Sequence, residues 1–350
     1  MSPYEYRRIR YPSDRQKQRR RIPQEMEAGS RHGRMEIMKL FLFRDYCKAI
    51  IGILVCMAIC TASAQLPSKE EPAPRAGAIS DESSPVATLG AMEAALRSEL
   101  TAHPESAPVL YKLGQILRLE NRPKESLEVY TRAAALQKPD AGQLRSVALD
   151  YVVLNDFKDA IHWLEIARSF EPRNVEVLYS LGRCYYSQAR YHEAEGLFVT
   201  ILQIKPDHLK AEENLGLTYD VENQPEKAEP ALRKAVEWTG RETTDEWPFL
   251  DLGTFLLAHD RPGDAVAYLQ RAASIAPKCA ACREKLGRAF VATGRASDGV
   301  KELEAAVQLD PKDPKIHFEL GRAYRAAGAL AKSRAEFAVS QTLYGEHSRN

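Results

Sequence analysis

From residue 107 to residue 347 apolar and small positions recur along the chain with a single period. A Leu-Gly pair stands at Leu113-Gly114, Leu181-Gly182, Leu215-Gly216, Leu252-Gly253, Leu286-Gly287 and Leu320-Gly321. The intervals are 68, 34, 37, 34 and 34 residues; the first covers two periods, and its missing member is Val147-Ala148, again apolar then small. Three places after each Gly or Ala comes a bulky residue: Leu117, Tyr151, Tyr185, Tyr219, Leu256, Phe290 and Tyr324. Nine further on comes a small one, namely Ser126, Ala160, Ala194, Ala228, Ala265, Gly299 and Ser333. Four beyond that is an apolar one: Tyr130, Leu164, Phe198, Leu232, Leu269, Leu303 and Phe337. Pro172, Pro206, Pro277 and Pro311 close four of the units.

Each period predicts two short helices folded as a hairpin. In the first helix the apolar, small and bulky positions share one face, and the small side chain lets the second helix approach closely. The small residue of the second helix receives that approach, and proline cannot continue the helix, so it sets the turn into the next unit. Self-similarity at this period is the mark of a repeat architecture. The pattern resembles the tetratricopeptide repeat, with its small, aromatic and proline positions, in seven tandem units at 107–140, 141–174, 175–208, 209–242, 246–279, 280–313 and 314–347. The resemblance implies an all-α fold, a right-handed superhelical solenoid of antiparallel helix hairpins. Three places depart from it: Lys138 stands where proline is usual, with Pro139 next; Gly240 replaces the proline of the fourth unit; and Thr243-Thr244-Asp245 is an insertion before the fifth. A local change of stacking angle is expected at the insertion, with Trp247 covering the seam. Leu89, Met92, Leu96 and Leu100 fall on one helical face and predict a capping helix over 87–106, since an array end otherwise exposes core. The final helix is more polar than its counterparts and reads as its own cap.

Ahead of the repeats the chain changes character. Residues 38–64 carry Lys39, Arg44 and Lys48 before an apolar stretch from Ala49 to Cys60, and Ala62-Ser63-Ala64 supplies a small-x-small cleavage site. This reads as an export signal cut between Ala64 and Gln65. The apolar stretch is short against the roughly 20 residues of a spanning helix, and the alternative is an uncleaved anchor through 49–64. Residues 1–37 are basic and read as an extension ahead of the true start, with Met35 and Met38 as later starts. Residues 65–86, rich in Pro, Ser and charge, read as a disordered linker. The expected location is exported, periplasmic or extracellular.

Charge narrows the partners. The net charge is +1, but residues 1–64 hold the excess of base; 65–350 carry 36 basic and 42 acidic residues. A broad nucleic-acid-binding face, which must neutralise many phosphates, is disfavoured, and contact with a membrane is expected only through the N-terminal segment. The resemblance implies that the first helices line a concave groove for a protein or peptide. The groove positions are Tyr111, Gln115, Arg145, Tyr179, Arg183, Tyr186, Glu213, Trp247, Leu250, Glu284, Arg288, Phe318, Arg322 and Arg325. Arg183, Arg288 and Arg322 hold the same place, just after the glycine, so that repeated guanidinium groups could grip a carboxylate or acidic segment. The opposing reading is that they are solvated helix formers paired with nearby acids.

Of six cysteines, Cys47, Cys56 and Cys60 lie in or beside the signal segment, leaving Cys184, Cys279 and Cys282. Cys279-Ala280-Ala281-Cys282 reads as a short-range disulfide, with a thiol redox role as its rival. Arg283 follows the pair where haem attachment requires His, and a second such pair for zinc is missing. Cys184 is expected to be buried and inert. Neither the His192-Glu193 segment nor the glycines at 294 and 299 fit a metalloprotease or phosphate-loop spacing. No catalytic residue, metal or cofactor is expected. The predicted function is a non-enzymatic interaction scaffold or assembly factor; the alternatives are a thiol redox module and a recruitment subunit of an envelope polysaccharide-export or outer-membrane assembly complex.

Overall fold

A computed structural model describes residues 85–240 and 243–347. The basic extension 1–37, the signal segment with its Ala64–Gln65 junction, and the linker as far as residue 84 lie outside them. Among the described residues all regular structure is helical, and they divide between Pro139 and Asp140 into two compact units.

The first unit holds α1 (Pro85–Ala102), α2 (Ala107–Leu119) and α3 (Pro123–Leu136). Helix α1 begins at Pro85, slightly ahead of the predicted cap, and packs on α2. Leu89, Leu96 and Leu100 are half-buried, while Met92 remains 48% exposed, so apolar burial alone holds α1 weakly. Charge supplements it. Arg122, in the α2–α3 turn, donates to Glu93 of α1 at 2.7 Å, to Glu120 at 2.7 Å and to Glu125 at 2.6 Å. Burial pushes the Glu93 carboxyl up, but hydrogen bonds from Arg122 and Arg97 outweigh it and hold the group below the usual range.

The second unit holds six hairpins: α4 (Ala141–Val153) with α5 (Phe157–Phe170), α6 (Val175–Ser187) with α7 (Tyr191–Ile204), α8 (Leu209–Val221) with α9 (Pro225–Thr239), α10 (Trp247–Ala258) with α11 (Pro262–Ile275), α12 (Ala280–Ala292) with α13 (Ala296–Leu309), and α14 (Pro314–Ala326) with α15 (Leu330–His347). Most first helices here start on a side chain that accepts an orphan backbone N–H. Asp140 accepts from Gln143 N at 2.7 Å, Asn174 from Val177 N at 3.2 Å, His208 Nδ1 from Ala211 N at 3.1 Å, Cys279 Sγ from Cys282 N at 3.0 Å, and Asp313 from Lys315 N at 2.8 Å. The insertion supplies the cap of α10: Asp245 accepts from Trp247 N at 3.2 Å, and Trp247 packs against the core of α9–α12.

Each of the seven hairpins turns through one left-handed residue: Asn121, Asn155, Ala189, Asn223, Asp260, Gly294 and Gly328, with φ between 55° and 80°. The N–H of the next residue donates back five positions, as in Arg190 N to Tyr185 O at 2.9 Å and Ala329 N to Tyr324 O at 2.8 Å. This closes the end of the first helix and reverses the chain. The close approach predicted within each hairpin is present. A β-carbon on Gly182 would lie 2.8 Å from the ring of Phe198, and one on Gly253 would lie 2.6 Å from Leu269. At the ends of the series Ser126 Oγ donates to Gly114 O at 2.8 Å and Ser333 Oγ to Gly321 O at 2.7 Å, which ties the small residue to the glycine it faces.

Candidate partner-binding face

Within the second unit each first helix packs on the first helix of the next hairpin, whereas the second helices do not pair in that way. The row of first helices therefore follows the tighter curve, and its free side is the inner face. Side chains at matching positions of α4, α6, α8, α10, α12 and α14 occupy that face, and seam contacts decide which of them remain available.

Several predicted groove residues are committed to the seams. Glu213, Leu250 and Glu284 are buried, and in the first unit Tyr111 is buried with its hydroxyl donating to Gln137 O at 2.6 Å. These four offer little surface to a ligand. Gln115 is exposed. Arg145 spans the α4–α6 seam, donating to Ser180 Oγ at 2.8 Å and pairing with Glu176 at 3.0 Å. Trp247 is half-buried, Phe318 is exposed with its ring 5.4 Å from Phe337, and Arg325 lies over Phe337 at 5.9 Å.

The three arginines that follow the glycine are not equivalent. Arg288 pairs with Glu284 at 3.3 Å and lies 3.7 Å from Glu319, while Arg322 pairs with the same Glu319 at 3.0 Å. Two carboxylates thus answer two guanidinium groups. Arg183 has no carboxylate in ion-pair range among the described residues; its guanidinium lies 6.0 Å from the centre of the Tyr179 ring. Asn214 Nδ2, from α8, donates to Tyr179 Oη at 3.2 Å and fixes that ring across the seam. One turn along α6, the buried Tyr186 hydroxyl has no hydrogen-bond partner among the described residues. Burial first, then the neighbouring Tyr191 and the negative charge of Asp251 and Asp220, raises its pKa, so it stays neutral. Asn214 and Glu319, which decide the state of this face, were not among the predicted groove residues. Both sit one position after a predicted one, and a glance at the adjoining column of the repeat would have found them.

Cys279 and Cys282 are joined as a disulfide. Cys184 is buried, as expected, and burial pushes its thiol up to about 12. Among the described residues no cluster of His, Cys, Asp or Glu forms a metal site, and no helix is long and apolar enough to cross a membrane.

Sequence profiles of the tetratricopeptide repeat match residues 89–141, 148–208 and 284–346, and a second profile of the same repeat matches 213–241. The chain belongs to the tetratricopeptide repeat family. Proteins of this family are in general interaction scaffolds. Among curated proteins, the BBSome complex member BBS4 of Bos taurus is 26% identical over 163 residues, 45% of this chain and 31% of that protein. BBS4 of Mus musculus is 28% identical over 134 residues, 38% of this chain and 26% of that protein. The matched stretches thus cover about three tenths of these relatives' length. Among solved structures, a tetratricopeptide repeat protein from Parabacteroides merdae aligns with a TM-score of 0.55 at 19% identity, over 68% of this chain and 91% of that one. PilW, a type IV pilus biogenesis factor, aligns with a TM-score of 0.54 at 19% identity, over 59% of this chain and 94% of that one. These two likenesses are of fold.

Proposed function

We propose that the chain is an exported scaffold whose inner face holds a carboxylate-bearing segment of a partner protein, gripped by Arg183 of α6. The observation that carries this reading is that Arg183 lacks the carboxylate that Arg288 and Arg322 possess at the same place in their hairpins. A guanidinium offers several donors in a planar fork, and a carboxylate is the group that accepts from two of them at once. Arg288 and Arg322, already matched by Glu284 and Glu319, have a positioning role at most.

The test compares capture of partners from envelope extracts by the protein starting at Gln65 and by its variants. Arg183→Ala should weaken binding by about tenfold to a hundredfold, the equivalent of a lost hydrogen bond to a charged group. The double variant Arg288→Ala, Arg322→Ala should leave the same partners bound. If Arg183→Ala keeps every partner at unchanged helicity, the reading is wrong. Export is tested separately by N-terminal sequencing of the protein from cells: cleavage gives Gln65 as the first residue, and a retained anchor gives an earlier one.

A further inference from the structure

We infer that Cys279 and Cys282 form a thiol–disulfide exchange centre, in which Cys279 reacts with external thiols and Cys282 closes the bond. Cys279 holds the place that Asp140, Asn174, His208 and Asp313 hold in other hairpins: the side chain that accepts a hydrogen bond from the first turn of the following helix. Its sulfur accepts from Cys282 N at 3.0 Å. At two of those places the acceptor is a carboxylate, so the site suits an anion, and in the reduced protein it favours the thiolate over the thiol. Cys282, in contrast, replaces core residues such as Val177, Ala211 and Ile316 and is fully buried. The pair is therefore asymmetric, with one half-buried cysteine on an anion-favouring cap and one cysteine fully buried in the apolar core.

The fold, moreover, does not need the bond. The junctions at Asn174, His208 and Asp313 keep the same cap with no covalent bond across the turn. A ring closed across so few residues also removes little freedom from the unfolded chain. Arg283 braces the same turn independently, donating to Pro277 O at 3.0 Å and to Glu302 at 2.8 Å. Reduction can thus proceed without unravelling α12.

The co-reactant is a thiol, one molecule per step. An external thiolate attacks Cys279 Sγ; the new sulfur–sulfur bond forms as the Cys279–Cys282 bond breaks, and the Cys282 sulfur leaves with the electron pair and takes a proton. A second external thiolate then attacks the outer sulfur of the mixed disulfide and releases Cys279 as thiolate. Two thiols become one disulfide while the protein pair gains two electrons, and the reverse sequence oxidises it.

The test uses the full chain with differential alkylation read peptide by peptide. With Cys282→Ser, glutathione disulfide should form a mixed disulfide at Cys279 about tenfold faster, or more, than it does at Cys282 in the Cys279→Asp variant. Aspartate keeps the cap found at Asp140 and Asp313, so this comparison does not rest on a misfolded protein. In the unaltered reduced chain iodoacetamide should label Cys279 before Cys282, and helicity should match the oxidised form. Equal labelling of the two sulfurs, or a pair that yields to reductant only when the helices melt, would overturn the inference and leave a structural clasp. Neither result bears on Arg183, so failure here is distinguishable from failure of the proposed scaffold face.

Discussion

Ala189 stands where the other hairpins carry Asn, Asp or Gly, with φ of 56°. A β-carbon in that conformation costs about 1–2 kcal/mol, and glycine's larger unfolded freedom returns roughly 0.4–1 kcal/mol of it. Ala189→Gly should therefore raise stability by about 0.5–1 kcal/mol, read from the midpoint of chemical denaturation. A second residue links the fold to pH. His208 caps α8 through Nδ1, which must be unprotonated to accept from Ala211 N. Burial, then the neighbouring charge of Lys205, lowers its pKa below the ordinary 6.5. As pH falls through that value the unfolded chain takes up the proton first, so the stability His208 supplies is full above about pH 6.5 and declines below it. His208→Asn keeps a cap acceptor that does not titrate, and the loss of thermal stability between pH 6.5 and 5 should shrink in that variant.

At the scale of the helix pair, the glycine of the first helix works by what it lacks. Gly182→Ala drives a β-carbon against the fully buried Phe198, and overpacking costs about 1–3 kcal/mol. The gain in helix propensity, about 1 kcal/mol, offsets only part of it. Gly196, in the middle of α7, has nothing within 4 Å of the same added carbon, so Gly196→Ala should stabilise by nearly that amount. Opposite signs for one chemical change within one hairpin, compared by thermal melting, check the packing directly. This part of the fold was legible in the sequence. The 34-residue spacing predicted a close approach of the second helix at Gly182 and Gly253, and the structure shows which side chains fill it, Phe198 over the one and Leu269 over the other. The availability of face residues was not legible, because it depends on the neighbour across a seam, a full period away. Glu213 and Leu250 hold the same position as Tyr179, yet they are buried and Tyr179 is not. Likewise the sequence lined up three equal arginines, and only the placement of Glu319 beside two of them singled out Arg183.

Over the whole molecule, energy is distributed by neighbours and not around one centre. The buried side chains of the second unit form successive clusters along the chain, one spanning Ala141 to Leu215 and the next Ala228 to Phe290. Stability in such an array is a sum over hairpins and their interfaces. With a division at Pro139 and Asp140, a fragment of residues 140–350 should fold alone and melt cooperatively; circular dichroism would expose a disordered fragment at once. The left-handed turn carries a further consequence. Asn121, Asn155, Ala189 and Asn223 follow one another at intervals of 34 residues and share a backbone conformation while their side chains differ. The chain is in effect punctuated by a dihedral angle, and a splice from one such residue to the next preserves the reading frame of the architecture. Excising 190–223 would join α6 to α9 through an intact turn and bring Gly182 against Leu232, giving a shorter molecule built to the same gauge. Duplication and loss of hairpins along this line could change the length of the face without requiring a new fold.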